Sequence, residues 1–308
     1  MTKEKIKVLY IGGLNRSGST LITKYLNEFE GFFSVNEVVF IGIHGLHDDF
    51  LLGNGERFSQ NKVWQEIIIR AFGTAPKWKE LSFFENNIHK NLGLPARYLT
   101  QSQKDNSQTD QYRKNLVKLY RAIADVTQCT VIVDSSKSPD YAYMLSTIDD
   151  IDLYLLHLTR DFRGIYFSQK KRVQRSDVLP DDSSSRNMRQ TKLWKFLIRS
   201  YLVSIKFFLL QKRNIKYTRL RYEDFCQSPE IFARKMLDFL RCDISLLLTE
   251  DQHKITLREE NIGIWGNPMR MGKEIIISQD KEWRDKLPAG RKRLLSYLLY
   301  PLFKIYDY

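Results

Sequence analysis

The turn Gly12-Gly13-Leu14-Asn15-Arg16-Ser17-Gly18-Ser19-Thr20 joins an apolar run to a helical stripe, and its composition suits an anion cradle. Gly13, Gly18, Ser19 and Thr20 have the spacing of the phosphate-binding pattern G-x-x-x-x-G-K-[ST], with Ser19 where the lysine belongs. A loop of this kind aims successive backbone N–H groups and a helix N-terminus at an anion, so affinity for a phosphate group survives loss of the lysine. What is lost is the fixed cation that spans the β and γ phosphates of a nucleoside triphosphate. Arg16 offers a planar, bidentate fork instead. The loop therefore reads as a holder of a 5′-phosphate group whose chemistry is not that of ATP. The plainer alternative is a strand, turn and helix with convenient glycines.

The elements that must position this loop follow from periodicity. Lys7 to Ile11 reads as a buried strand, and Leu21, Ile22, Tyr25, Leu26 and Phe29 form a helical stripe that Gly31 ends. Phe32 to Phe40 reads as a second strand in which Glu37 is the one acid. From His44 to Gln128 the βα alternation lapses, leaving helical periodicity around Val63–Phe72, Leu81–Leu92 and Tyr112–Val126 and a polar loop at Thr100–Gln108. This block reads as a helical insertion, about residues 44–128, covering the site within one domain of residues 1–308.

Alternation resumes with a strand at Thr130–Asp134 and a helix from Asp140 to Thr147 that Ser138 and Pro139 start. A strand at Leu153–Thr159 leads into a helix opened by Arg160-Asp161-Phe162-Arg163-Gly164. A further strand, Ile215–Tyr222, leads into the helix Pro229–Leu240. Strands alternating with helices predict an α/β three-layer sandwich around a mainly parallel sheet, with the phosphate loop after its first strand. Ligands collect beyond the carboxyl ends of such strands, where Arg16, Lys137, Arg160 and Tyr222 fall.

Among 308 residues, 43% are apolar, enough for a sizeable core. Lysine and arginine outnumber aspartate and glutamate by 49 to 36, which favours anionic partners without choosing among them. Cys129, Cys226 and Cys242 match no metal-ligand spacing, so free thiols in a reducing compartment are expected. Met1 to Lys5 is charged and leaves no room for a signal peptide, and Lys206 interrupts the longest apolar run. A soluble, cytoplasmic protein is the expectation. Thr191 to Arg213 is a basic amphipathic helix, able to lie on an anionic membrane but more ordinarily packed on a core with its lysines snorkelling. Arg175 to Ser185 should be a mobile loop near the site, and Arg291 to Tyr308 a docked helix broken near Pro301.

Two segments together carry a family resemblance. Arg16-Ser17-Gly18-Ser19-Thr20-Leu21 resembles the 5′-phosphosulfate loop of sulfotransferases that use 3′-phosphoadenosine 5′-phosphosulfate, in the R-S-G-[ST]-[ST] form of the tyrosylprotein and carbohydrate enzymes. His157 to Ser168 resembles their 3′-phosphate motif, an arginine after a strand and a serine two helical turns on, here Arg160 and Ser168. As an anion site the second motif is physically sensible. Arg160 adds a bidentate donor to a helix N-terminus, Ser168 a hydroxyl, and Arg172, one turn further on the same face, another charge.

The resemblance implies the remaining roles. Asn15 to Thr20 would hold the 5′ end of the donor; Glu37 matches the catalytic glutamate of tyrosylprotein sulfotransferases, its pKa raised by apolar neighbours. His44 and His47 are the second choices for the base, since other branches use histidine. Lys137 resembles the family's transition-state lysine, Tyr222 the tyrosine of a recurring R-Y-E-D segment beside the nucleotide, and Gly266-Asn267-Pro268-Met269-Arg270 the bacterial G-N-P-x-R segment, which offers Asn267 and Arg270 to the 3′-phosphate. A histidine frequent four residues before that glycine is replaced by Ile262. The implied reaction is metal-free sulfuryl transfer to a hydroxyl of a carbohydrate, lipid or other small acceptor, with no nucleic acid partner and with possible peripheral membrane contact. Two other classes stay open: a P-loop kinase, with Asp134 as its magnesium carboxylate, and a basic module binding nucleic acid or membrane. Acceptor identity and oligomeric state are not legible.

Overall fold

In a computed structural model of the chain, the residues described are 4–74, 78–82, 84, 107–172, 175, 190–243, 253–257, 261–272 and 274–308. Five strands, β1 (Ile6–Gly13), β2 (Phe32–Asn36), β3 (Val131–Lys137), β4 (Ile151–Thr159) and β5 (Lys216–Arg221), form one sheet in the order β2-β3-β1-β4-β5. Every neighbouring pair is parallel, as strands joined by helices require. The central strand, β1, is buried over most of its length, so its side chains supply both faces of the sheet.

Alternation along β1 divides the apolar interior. Val8 and Tyr10 face a core with Leu119, Ile123, Phe196 and Phe207, while Leu9 and Ile11 face one with Ile22, Leu26, Phe225 and Met236. Helices Lys62–Phe72, Ser107–Thr127, Pro139–Leu145 and Leu193–Gln211 cover the first face; Ser19–Asn27, Tyr222–Gln227 and Pro229–Leu240 cover the second. The three layers expected of an α/β sandwich are present. Gly12 decides how closely the long helix approaches, because a Cβ there would lie 2.4 Å from the Phe207 ring, which stacks on His157 at 4.1 Å. Burial holds that imidazole neutral, its pKa pushed down to about 3.

Several local expectations change. The second strand stops at Asn36, whose backbone turns left-handed at φ 54°, and Val38–Phe40 begins a short helix continued by Ile41–His47. β3 runs on through Ser135 and Ser136 to Lys137. On the helix Leu193–Gln211, Lys206 does not snorkel: it is buried and meets both oxygens of Asp140 at 2.8 Å. The tail breaks at Leu299, between helices Ala289–Leu298 and Tyr300–Tyr306, with Pro301 in the first turn of the second. Most of Leu81–Leu92, Thr100–Gln108 and Arg175–Ser185 lies outside the described residues. Among the described residues, no helix is long and apolar enough to cross a membrane.

Asp134, in the middle of β3, is fully buried; it accepts bonds from the Tyr120 hydroxyl at 2.5 Å and from the Ser136 N–H and hydroxyl at 2.8 and 2.6 Å. Burial outweighs these donors and pushes its pKa from 3.8 up to about 6. A raised folded-state pKa favours the protonated folded protein, so the associated stability is present below about pH 4 and lost as pH climbs through about 6. Urea unfolding of the wild type and Asp134→Asn at pH 4 and pH 7 should show the wild type losing about 2–3 kcal/mol relative to the variant over that span. A constant difference would mean that the carboxyl titrates normally.

Candidate functional site

Each strand ends in a contribution to one cavity of about 250 Å³. Across the sheet these are Glu37 after β2, Lys137 at the end of β3, the loop Asn15–Thr20 after β1, Arg160 after β4 and Tyr222 after β5. The strand order reverses between β3 and β1, the place where a crevice opens in such sheets.

The loop leaves β1 through a turn closed by Ser17 N–H to Leu14 C=O at 3.2 Å, then passes Arg16 at φ 75° and Gly18 at φ 100°. Gly18 starts the helix Ser19–Asn27 without a capping side chain, so the first N–H groups of that helix are not taken up by one. A Cβ on Gly18 would lie 2.3 Å from the Tyr222 ring, which packs flush against the backbone there. Arg160, 6% exposed, donates from Nη1 to the Arg16 carbonyl at 3.0 Å. Its guanidinium lies 4.6 Å from the centre of the Tyr222 ring and its Nη2 is 3.2 Å from Asp280 Oδ2. Gln169, on the same helix as Ser168, donates to the Asn15 carbonyl at 3.0 Å, so Phe162–Lys170 grips the loop beside Arg160.

Cations crowd here. Burial first, and then the charges of Arg160 and Arg175, push the Arg16 pKa below its ordinary value against the pull of Asp280. Asp280 is itself driven up by burial, but Arg160 and Lys171 outweigh that and leave it low.

At the other end of the cavity the Glu37 carboxylate and the Lys137 ammonium are in contact, with side chains 12% and 11% exposed. Glu37 is thus neighboured by a cation, not the purely apolar surroundings expected for it. Beyond them, the Arg175 guanidinium lies 3.5 Å above the Trp265 ring and donates to the Gly266 carbonyl at 3.4 Å. The other face of Trp265 stacks on His44 at 3.6 Å. Burial lowers the His44 pKa despite its 2.9 Å contact with Asp48, while His47 is exposed on the same carboxylate, so neither histidine lines the cavity. Among the described residues, eight non-glycine positions have left-handed backbone, and four of them, Arg16, Asn36, Lys137 and Trp265, lie at or beside this site. Such strain persists only where surrounding structure fixes it.

Of the residues singled out in the sequence, Asn15, Arg16, Gly18, Ser19, Thr20, Glu37, Lys137, Arg160, Ser168, Tyr222 and Asn267 line the cavity. Ser17 is buried behind it, and its hydroxyl finds no hydrogen-bond partner among the described residues. Two positions depart. The helix carrying Ser168 ends at Lys170, which leaves Arg172 exposed and off that face. Arg270 is wholly buried and turned away, donating to the Leu51 carbonyl at 2.7 Å. Asn267 is extended before Pro268 as expected, and its side chain accepts from Met269 N–H at 3.2 Å. Asp134 does not line the cavity.

Four contributors were not legible as such. Trp265 and Asp280 fall in segments without periodicity, and Arg175 lies in a loop that gave no role to any one residue. Lys24 is the fourth: buried within an apolar helical stripe, it donates to the carbonyls of Gly272 and Glu274 at 2.8 and 3.2 Å and so fixes the segment bearing Asn267 against the loop's helix. A lysine inside an apolar stripe was its only signal.

A family model described as "Sulfotransferase family" matches residues 9–245. No curated protein matches the chain in sequence. Among solved structures, the sulfotransferase STF9 from Mycobacterium avium aligns at 13% identity over 99% of this chain and 78% of its own, with a TM-score of 0.48. The sulfotransferase domain from the curacin biosynthetic pathway aligns at 13% identity over 97% and 98%, with a TM-score of 0.46. That from the Synechococcus PCC 7002 olefin synthase aligns at 15% identity over 97% and 95%, with a TM-score of 0.39.

The contact of Tyr222 with Gly18 makes a direct prediction. Gly18→Ala meets both the ring and an unfavourable φ, and should cost at least about 1–3 kcal/mol in urea unfolding. Tyr222→Ala in the same chain should return the part due to the ring. Unchanged stability in Gly18→Ala would show that the loop relaxes freely.

Proposed function

The chain belongs to the sulfotransferase family, and from that premise we propose that it moves a sulfuryl group from 3′-phosphoadenosine 5′-phosphosulfate to a hydroxyl of a carbohydrate, lipid or other small acceptor. The observation that carries this reading is the 3.0 Å bond from Arg160 to the Arg16 carbonyl. It supports the reading because it joins the loop after β1 to the arginine after β4 at a single cavity, as a ligand with phosphate at both ends of one nucleoside would require.

In this proposal the N–H groups of Ser17 to Thr20, with Arg16, hold the 5′ end of the donor, while Arg160 and Ser168 hold its 3′-phosphate. Tyr222 and Asn267 brace the nucleotide between them. Arg172 and Arg270 take no part, given where they lie. The donor supplies a sulfuryl group joined to the 5′-phosphate through a bridging oxygen. Glu37 takes the acceptor's proton as the acceptor oxygen bonds to sulfur. Lys137 meets the charge gathering on the bridging oxygen as its bond to sulfur breaks, and Arg16 shares that charge. Side chains alone supply the acid–base and electrostatic work, so the proposed reaction uses no metal.

Glu37 and Lys137 face Phe40, Trp265 and Arg175, and we assign the acceptor to that end. Residues 44–128 are proposed as an insertion on the acceptor side of one domain spanning 1–308.

Glu37→Gln keeps the shape of the side chain and removes its basicity. Turnover should fall by at least about 100-fold, while calorimetry shows adenosine 3′,5′-bisphosphate bound as in the wild type. Normal turnover in the variant would overturn the assignment of the base.

A further inference from the structure

The helix Leu193–Gln211 buries one face, through Phe196, Val203, Phe207 and Leu210, and exposes another. On the exposed face Trp194, Ile198, Ile205 and Phe208 are 56%, 53%, 42% and 54% accessible. Their spacing, i, i+4, i+11 and i+14, puts them on one narrow stripe. Tyr201, at i+7 on that stripe, donates its hydroxyl to the Leu298 carbonyl at 2.6 Å. The stripe thereby joins the C-terminal helices, where Leu294, Tyr297, Tyr300 and Ile305 are also exposed. Scattered apolar residues on a surface are ordinary, but a joined set of this extent needs an occupant.

The charge pattern says which. From Gln190 to Tyr222, and again from Lys286 to Tyr306, the chain has no aspartate or glutamate. Lys195, Lys212 and Lys304 lie 5.3, 5.3 and 5.4 Å from the centres of the exposed Trp194, Phe208 and Tyr300 rings, so cations flank the apolar stripe along its length. A second copy of the chain would bring the same charge to the same face and be repelled. Nucleic acid would match the cations but leaves Ile198 and Ile205 nothing to bury against. An anionic bilayer answers both features, with headgroups for the lysines and the acyl boundary for tryptophan, isoleucine and phenylalanine. Because no described helix is long and apolar enough to span a membrane, the contact is interfacial.

We propose that the exposed face of Leu193–Gln211, continued by residues 291–305, docks the protein on an anionic lipid surface. This stands apart from the chemistry of the cavity and would survive a failure of the sulfuryl-transfer reading. Gln190 donates to the Lys170 carbonyl at 2.8 Å, which puts the Trp194 end of the helix on the side of the sheet where the cavity lies.

Sedimentation of the full chain with vesicles tests it. The protein should pellet with mixed phosphatidylcholine and phosphatidylglycerol but not with phosphatidylcholine alone, and about 0.5 M salt should release much of it. Lys195→Gln with Lys212→Gln should weaken binding about 25-fold, about fivefold for each charge. Trp194→Ser with Ile198→Ser should weaken it more than about tenfold. Both pairs are on the surface and should keep the wild-type melting profile. The proposal fails if neither vesicle binds, or if the apolar pair binds like the wild type. It also fails if sedimentation equilibrium shows a dimer that the apolar pair dissolves, since a second copy would then cover the face.

Discussion

Four cationic side chains, Arg16, Lys137, Arg160 and Arg175, share a cavity whose described lining offers two carboxylates, Glu37 and Asp280. Burial first, and the neighbouring charges of Arg160 and Arg175 after it, lower the Arg16 pKa, the cost of holding like charges in a half-buried space. Arg160 keeps a carboxylate partner in Asp280, and both Arg160 and Arg175 also rest on groups that carry no net charge. Arg160 rests on the Arg16 carbonyl and the Tyr222 ring, and Arg175 on the Gly266 carbonyl and the Trp265 ring. Carbonyl dipoles and aromatic faces fix a guanidinium in place without cancelling it. The cavity therefore keeps an excess of positive potential, and a polyanion is what relieves it.

The parallel sheet makes this crowding possible. Because all five strands run the same way, their carboxyl ends bring Glu37, Lys137, the phosphate loop, Arg160 and Tyr222 to one edge, in that order across the sheet. The turns there are tight enough that Arg16, Asn36, Lys137 and Trp265 take left-handed backbone, a cost carried by the surrounding packing. Lys24 ties the far segment to the loop's helix, and backbone bonds between Ile264 and both Val35 and Glu37 place Trp265 beside the end of β2. The two ends of the cavity differ in kind. One holds Arg16 and Arg160; the other holds a paired carboxylate and ammonium beside aromatic rings and Arg175.

The sheet and the turn after its first strand were legible because buried parallel strands are continuous apolar runs, and because glycines and polar residues mark the passage from strand to helix. Arg160 and Ser168 were paired through the family's motif, whereas Arg172 was added by helical spacing alone and was misplaced, since no periodicity marks where a nine-residue helix stops at Lys170. Arg270 misled for a different reason: an arginine's reach spans a site and the core behind it, and only packing decides between Leu51 and the ligand. Glu37 was assigned to a strand that stops one residue before it, because Val38, Val39 and Phe40 suit a strand as well as the short helix they form. Trp265 and Arg175 fell in segments expected near the site, but neither could be given a role of its own. Each acts through a long-range stack, and nothing local in the sequence encodes a neighbour 90 residues away.

The proposed donor site depends on Arg160 and Arg16 serving opposite ends of one bound nucleotide. Calorimetric titration of the wild type and Arg160→Ala with adenosine 3′,5′-bisphosphate and with adenosine 5′-monophosphate tests it most directly. Removing Arg160 should lower affinity for the bisphosphate to that for the monophosphate while leaving the monophosphate's own affinity unchanged. Equal losses for both ligands, or no loss for either, would contradict it.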